Sequence, residues 1–187
     1  MSRLSFLRRG FRARPVVLFL LVLSAAFARL LPHPPNFTPI GAMALFGGAL
    51  FCSRKAAWLV PLAAMFVSDL VLFLWHGWPL GWMTLVIYAC ILGSVEIGRR
   101  MGPAKGLWSV VFASFLSALL FFVVTNFAVW LGSTFYPKTL LGLWECYLAA
   151  LPFFGNTLGA YALYGLALFG GFSLLEGRVR ALSPSKI

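Results

Sequence analysis

Six apolar runs follow one another along this chain of 187 residues, and their lengths leave few folds open to it. A bilayer core of about 30 Å is crossed by about 20 helical residues, fewer where flanking side chains snorkel to the interface. The runs are residues 15–31, 37–52, 56–75, 79–97, 106–131 and 146–175. The second is short, and the last is long enough to tilt or kink. With 61% hydrophobic and 10% charged residues, the chain lies outside the range of soluble globular domains. The expectation is an all-α integral membrane protein with six transmembrane helices in a single domain over residues 1–187.

The net charge of +11 would suggest nucleic acid if the basic residues shared a soluble surface, but they do not. Arg3, Arg8, Arg9, Arg12 and Arg14 precede the first run, and Arg54 and Lys55 separate the second from the third. Arg99, Arg100 and Lys105 follow the fourth, and Arg178, Arg180 and Lys186 close the chain. Thirteen basic residues then fall on one side, against Lys138 and Arg29 on or near the other. Such a bias marks the cytoplasmic side. Residues 1–14 read as a basic cytoplasmic N-terminus and 176–187 as a cytoplasmic tail, with no nucleic-acid partner. The first segment also fits a secretory signal peptide, with Ala26, Phe27 and Ala28 as a small-residue cleavage site. The retained reading, with six spans, is the expectation taken forward.

Direction along each span gives its polar residues a depth, at about 1.5 Å per residue. Asp69 falls roughly 20 Å up the third span, in the outer third of the bilayer. Thr125, Asn126 and Trp130 lie toward the outer end of span five, and Asn156 and Thr157 in the first half of span six. Arg29 ends span one, and His33, Asn36 and Thr38 follow it, so all these groups are expected at one outer level. A carboxylate in a membrane helix costs about 2.5–3.5 kcal/mol and normally faces a partner or a cavity. Arg29 is the natural counter-ion of Asp69. The cluster either lines a ligand site or closes on itself and fixes helix packing. Glu96, with Arg99 and Arg100 three and four residues on, reads as a surface pair at the inner end.

Four prolines, Pro32, Pro34, Pro35 and Pro39, keep the first connection from being helical throughout, making it a stiff outer segment. Residues 132–145 read as a second outer loop, apolar enough to lie in the interface or to act as a lid. Gly41, Ala44 and Gly48 on span two, Ala57, Ala64 and Ser68 on span three, and Gly155, Gly159 and Ala162 on span six form small-residue faces suited to close helix contact. No phosphate loop, HExxH, GxSxG or carboxylate pair is present, so no enzymatic activity is expected. Cys52, Cys90 and Cys146 fall at different depths and cannot share a metal. Neither a metal nor a cofactor is anticipated.

Four segments carry a resemblance: NFTPIGAMALFGGA from Asn36, PLAAMFVSDLVL from Pro61, VTNFAVWL from Val124 and YPKTLLGLWECYLAALPFFGNTL from Tyr136. Together they cover a little under a third of the chain and resemble an uncharacterised bacterial family of transport-type membrane proteins. That family is similar, in size and six-helix layout, to the substrate-binding S components of energy-coupling-factor vitamin transporters. The resemblance implies an S-component-like bundle in a bacterial inner membrane, taking a vitamin or related micronutrient such as cobalamin from the outer side. It also implies an energising transmembrane module, or other membrane subunits, as partner besides the lipid bilayer and the small-molecule substrate. The first span, however, carries only the pair Ser24 and Ala28 where S components usually repeat an Ala-xxx-Ala stripe. The substrate-binding candidates are Asp69, Asn126, Asn156, Asn36, Thr38, Arg29, His33, Trp130, Tyr136 and Tyr147, with Trp78, Trp82 and Trp144 as apolar walls. The contrasting function is a non-catalytic structural subunit of a larger membrane complex.

The charge bias makes topology directly testable. Green fluorescent protein fused to either terminus should fluoresce, and alkaline phosphatase fused at either should stay inactive. An active phosphatase at one terminus would overturn the reading with both ends in the cytoplasm.

Overall fold

The computed structural model describes residues 13–103, 106–179 and 182 with their side chains, and residues 3–12 as helical backbone. Six α-helices follow in order: α1 (Arg3–Phe27), α2 (Ile40–Leu50), α3 (Arg54–His76), α4 (Trp82–Met101), α5 (Leu107–Gly132) and α6 (Leu140–Arg178). A 3-10 turn, Ala28–Leu30, extends α1. No strand occurs among the described residues. Lys105, Arg180, Lys186 and most of the expected 176–187 tail lie outside those residues, as do the side chains of Arg3, Arg8, Arg9 and Arg12.

Local chemistry sets the helix ends. Ser53 Oγ accepts from the Ala56 N–H at 3.4 Å and opens α3, which stops at Gly77, whose φ of 67° is left-handed. Thr139 Oγ1 accepts from the Gly142 N–H at 3.1 Å and opens α6. Pro137 and this cap place the helix start at Leu140, six residues earlier than hydropathy suggests. The connection expected over 132–145 is therefore only Ser133–Thr139, and its apolar second half is the first turn of α6. At the other end of the chain, the basic segment 1–14 is no separate arm: from Arg3 it is continuous with the first span.

Among the described residues, five helices are long and apolar enough to cross a membrane. The exception is α2, whose eleven residues rise only ~16 Å, about half the hydrocarbon core. Every one of them is buried.

Packing shows which half α2 fills. Arg14 on α1 pairs with Glu176 on α6 at 2.6 Å, donates to the Leu182 carbonyl at 2.8 Å and lies 5.3 Å from the Phe172 ring centroid. The beginning of the first span and the end of the last therefore meet at one end of the bundle. Phe46 of α2 stacks edge-on between Phe169 and Phe172, near that same end. A Cβ on Gly48 would sit 2.1 Å from the Val95 carbonyl oxygen, and one on Gly98 would sit 2.2 Å from that of Leu45. The α2 and α4 backbones are thus in direct contact, which small residues alone permit. At the N-terminus of α2, Gly41 lies against the Tyr161 ring, where a Cβ would overlap its atoms.

Contacts between the antiparallel α5 and α6 give a scale for depth. Cys146 faces the Asn126 carbonyl, Tyr147 donates to that of Val123 at 2.7 Å, and Ser114 donates to that of Tyr161 at 3.2 Å. Phe37, just before α2, packs with Ala118, Ala160 and Tyr161. Ala118 is near the midpoint of α5. The chain between α1 and α2 therefore descends to the middle of the bundle, and α2 continues from there toward the end where Arg14 meets Glu176.

Because a carbonyl cannot move aside as a flexible side chain can, Gly48→Ala should destabilise the bundle by about 1–3 kcal/mol, the range of overpacked cores. Gly170→Ala, with nothing within 4 Å of the added carbon, should be neutral or slightly stabilising. Thermal unfolding in detergent distinguishes them. Equal melting temperatures would contradict the backbone contact.

Candidate functional site

The ion pair anticipated from the sequence is present and is larger than anticipated. Asp69 shares one face of α3 with Met65 and Ser68, all three buried. The 3-10 turn after α1 carries Arg29 onto that face. Its Nη1 lies 2.7 Å from Asp69 Oδ1, 2.8 Å from Ser68 Oγ and 2.9 Å from Met65 Sδ. One terminal nitrogen has two hydrogens, so the carboxylate and hydroxyl are the strong acceptors and the thioether a weak third. Ser68 in turn donates to the Met65 carbonyl at 2.8 Å. Tyr88 of α4 donates to the other carboxylate oxygen, Asp69 Oδ2, at 2.8 Å. The Arg29 and Asp69 side chains are only 9% and 10% exposed. The cluster is thus neutral, both Asp69 oxygens accept a charge-assisted bond, and α1, α3 and α4 are tied together toward the end of the bundle opposite the Arg14–Glu176 pair.

The remaining candidates do not join it. Asn126 donates to the Phe122 carbonyl of its own helix at 2.8 Å, and Thr125 to that of Phe121 at 2.7 Å. Asn156 donates to the Pro35 carbonyl at 3.0 Å and so anchors the descending segment. Trp130 Nε1 donates to the Pro137 carbonyl at 2.9 Å, while Lys138 lies over the Trp130 ring and donates to its carbonyl. Tyr147 is held by Val123, and His33 Nδ1 is 2.9 Å from the Pro34 carbonyl. Thr38 and Tyr136 are half-buried. Asn36 is exposed, with a φ of 62° that asparagine tolerates better than most residues.

The expected single outer level is corrected by the same contacts. Asn126 lies opposite Cys146, and Asn156 is ten residues further along α6, about 15 Å deeper. The error came from starting span six at Cys146 when the helix begins at Leu140. Three separate groups result: Arg29 with Asp69 and Tyr88, Asn156 with the proline segment, and Trp130 with Pro137 and Lys138. Sequence reasoning missed Tyr88, Ser68 and Met65. The last two were findable as the i−1 and i−4 neighbours of Asp69, whereas Tyr88 depends on how α4 crosses α3. The Glu96 pair was legible, with Arg99 and Arg100 at 3.6 and 3.7 Å. The Arg14–Glu176 pair was not.

Two open grooves run along the α5–α6 seam. One, of about 380 Å³, is lined by Trp108, Val111, Phe112, Phe115, Leu158 and Ala162. The other, of about 260 Å³, lies between Phe122 and Val123 on one side and Trp144 and Leu151 on the other. Both are apolar; of the candidate residues, Tyr147 and the expected wall residue Trp144 border the second, and none borders the first. Among the described residues no three His, Cys, Asp or Glu side chains converge.

The arrangement defines a multi-pass type of helical membrane protein with a buried neutral ion-pair cluster and one half-length helix. The chain belongs to the family of unknown function DUF6580, whose model matches residues 9–182. No curated protein and no solved structure matches it.

Removing one member of a buried pair leaves an uncompensated charge, at a cost of about 3–5 kcal/mol. Arg29→Ala and Asp69→Ala should each lower the melting temperature sharply, whereas the double variant Arg29→Met with Asp69→Leu should recover much of the loss. A harmless Asp69→Ala would show that the pair does not hold the helices.

Proposed function

We propose that this protein is a transport component of a bacterial inner membrane, with both termini cytoplasmic, capturing a small solute from the outer side without catalysing a reaction. The carrying observation is the break between α1 and α2. Membrane carriers place substrate sites near the midplane, where helices are discontinuous and backbone polar groups become available. Here the descending segment and the half-length α2 together make the sixth crossing. An even number of crossings agrees with the contact between Arg14 and Glu176 at one end. The likeness of four sequence segments to transport-type proteins, and through them to S components, supports the same reading and suggests a vitamin-like micronutrient and an energising membrane partner.

In this reading the roles divide. Arg29, Asp69 and Tyr88 hold the outer ends of three helices, and solute contacts fall to Asn36, Thr38, His33 and the backbone of the descending segment. Asn156 positions that backbone. The contrasting reading, a structural subunit of a membrane complex, is favoured by one feature: both Asp69 oxygens and the Ser68 and Tyr88 hydroxyls already have partners within the chain.

Purification in mild detergent followed by mass spectrometry of extracted small molecules separates the two. Capture predicts a solute that accompanies the wild-type protein and falls at least about tenfold with Asn156→Ala, which releases the segment. Identical extracts from wild type and variant would favour the structural subunit.

A further inference from the structure

The segment between α1 and α2 poses a problem of backbone chemistry. Its upper end is Arg29, level with Tyr88, which lies six residues below the α4 terminus where Trp82 meets Gly132. Its lower end is Phe37, packed beside Ala118 at the middle of α5. Residues 31–36 are non-helical over this descent, and all but the half-buried His33 are exposed. The Pro34 carbonyl accepts from the Phe37 N–H at 3.0 Å and the Pro35 carbonyl from Asn156. No hydrogen-bond partner among the described residues serves the N–H groups of His33, Asn36 and Thr38, or the carbonyls of Pro32, His33 and Asn36. Each unpaired group in hydrocarbon costs several kcal/mol, so exposed irregular backbone at this depth does not face lipid. An apolar partner helix would not satisfy it either. Water does.

We infer that a water-filled cleft enters the bundle from the outer side and reaches mid-membrane depth along residues 31–38, and that it accepts neutral, hydrogen-bonding solutes. The second clause rests on the capture role proposed above; the first does not. Neutrality follows from the charges. Of the described charged side chains at these depths, Arg29 and Asp69 cancel, and the exposed Glu145, next to Cys146 on α6, is eleven residues or about 16 Å above the Asn156 contact with the segment, beyond a Debye length of about 8 Å. The open groups are the Asn36 amide and backbone, and four prolines leave the segment richer in acceptors than in donors.

Thiol accessibility tests both clauses. Asn36→Cys is placed in a Cys52→Ser background, since Cys90 and Cys146 are buried, and is treated in right-side-out vesicles with membrane-impermeant cationic and anionic methanethiosulfonates. Leu119→Cys, beside Ala118 at the same depth but on the groove side of α5, is the control. The thiol at position 36 should react at least about tenfold faster than the control, because a permanently charged reagent does not enter hydrocarbon. Its cation-to-anion rate ratio should stay within about threefold of that for free cysteine in solution, as expected without net local charge. If Asn36→Cys does not elute as a folded protein, Pro34→Cys carries the test, as Pro34 is exposed and its carbonyl is retained. Protection equal to the control would overturn the cleft, and a strong charge preference would overturn neutrality. Rapid labelling without any co-purifying solute would leave the cleft standing and remove the capture role.

Discussion

Contact between the α2 and α4 backbones, with Gly48 against the Val95 carbonyl and Gly98 against that of Leu45, is what the rest of the bundle is arranged around. A helix of eleven residues cannot bridge a bilayer, and alone in lipid it would leave both termini with unpaired backbone groups at depth. It is tolerable only if protein surrounds it. Glycine at Gly41 and Gly48 lets Tyr161 and α4 close on it, while Phe169 and Phe172 of α6 cover Phe46. One half of the bundle is thereby filled, and the other half is left without a central helix.

That asymmetry explains where the ionisable groups sit. Arg29 and Asp69 lie above the level that α2 reaches, where no central helix holds α1, α3 and α4 together. A buried ion pair is not in itself strong stabilisation, because desolvation offsets most of the attraction. Its directional requirements are strict, however. Asp69 binds Arg29 with one oxygen and Tyr88 with the other, which fixes three helices relative to one another where apolar packing alone would allow sliding. At the opposite end Arg14 does similar work between α1 and α6, but with its partner Glu176 more exposed and therefore more weakly coupled.

The legibility of these features in the sequence follows the range of the interaction behind each. Apolar run lengths located all six helices, because hydrophobic matching to a bilayer is a local property. The Arg29–Asp69 pair was legible because two charges at similar depth in an apolar medium have few other partners. Helix starts were less so: the Thr139 cap was overlooked, and that displaced Asn156 by six residues, about 9 Å, in the inferred depth. The second run was legibly short, but that it fills only half the depth was not: residues 37–39 were counted into it, and only the packing of Phe37 against Ala118 and Tyr161 reveals that the chain has already descended. Tyr88 depended on a helix crossing, which no local pattern encodes.

The proline content of the descending segment then acquires a second physical meaning beyond stiffness. Pro32, Pro34, Pro35 and Pro39 have no N–H, so of the nine residues from Leu31 to Pro39 only five carry a backbone donor. A non-helical strand at membrane depth is costly in proportion to the polar groups it leaves unpaired, and replacing donors by ring carbons lowers that cost. The carbonyls remain, and Asn156 engages only one of them. The residual groups are biased toward acceptors, in a region where Arg29 and Asp69 have cancelled the fixed charge. A purely structural connector would gain from pairing those carbonyls with more side chains like Asn156; leaving them open is consistent with a segment whose partners arrive from solution.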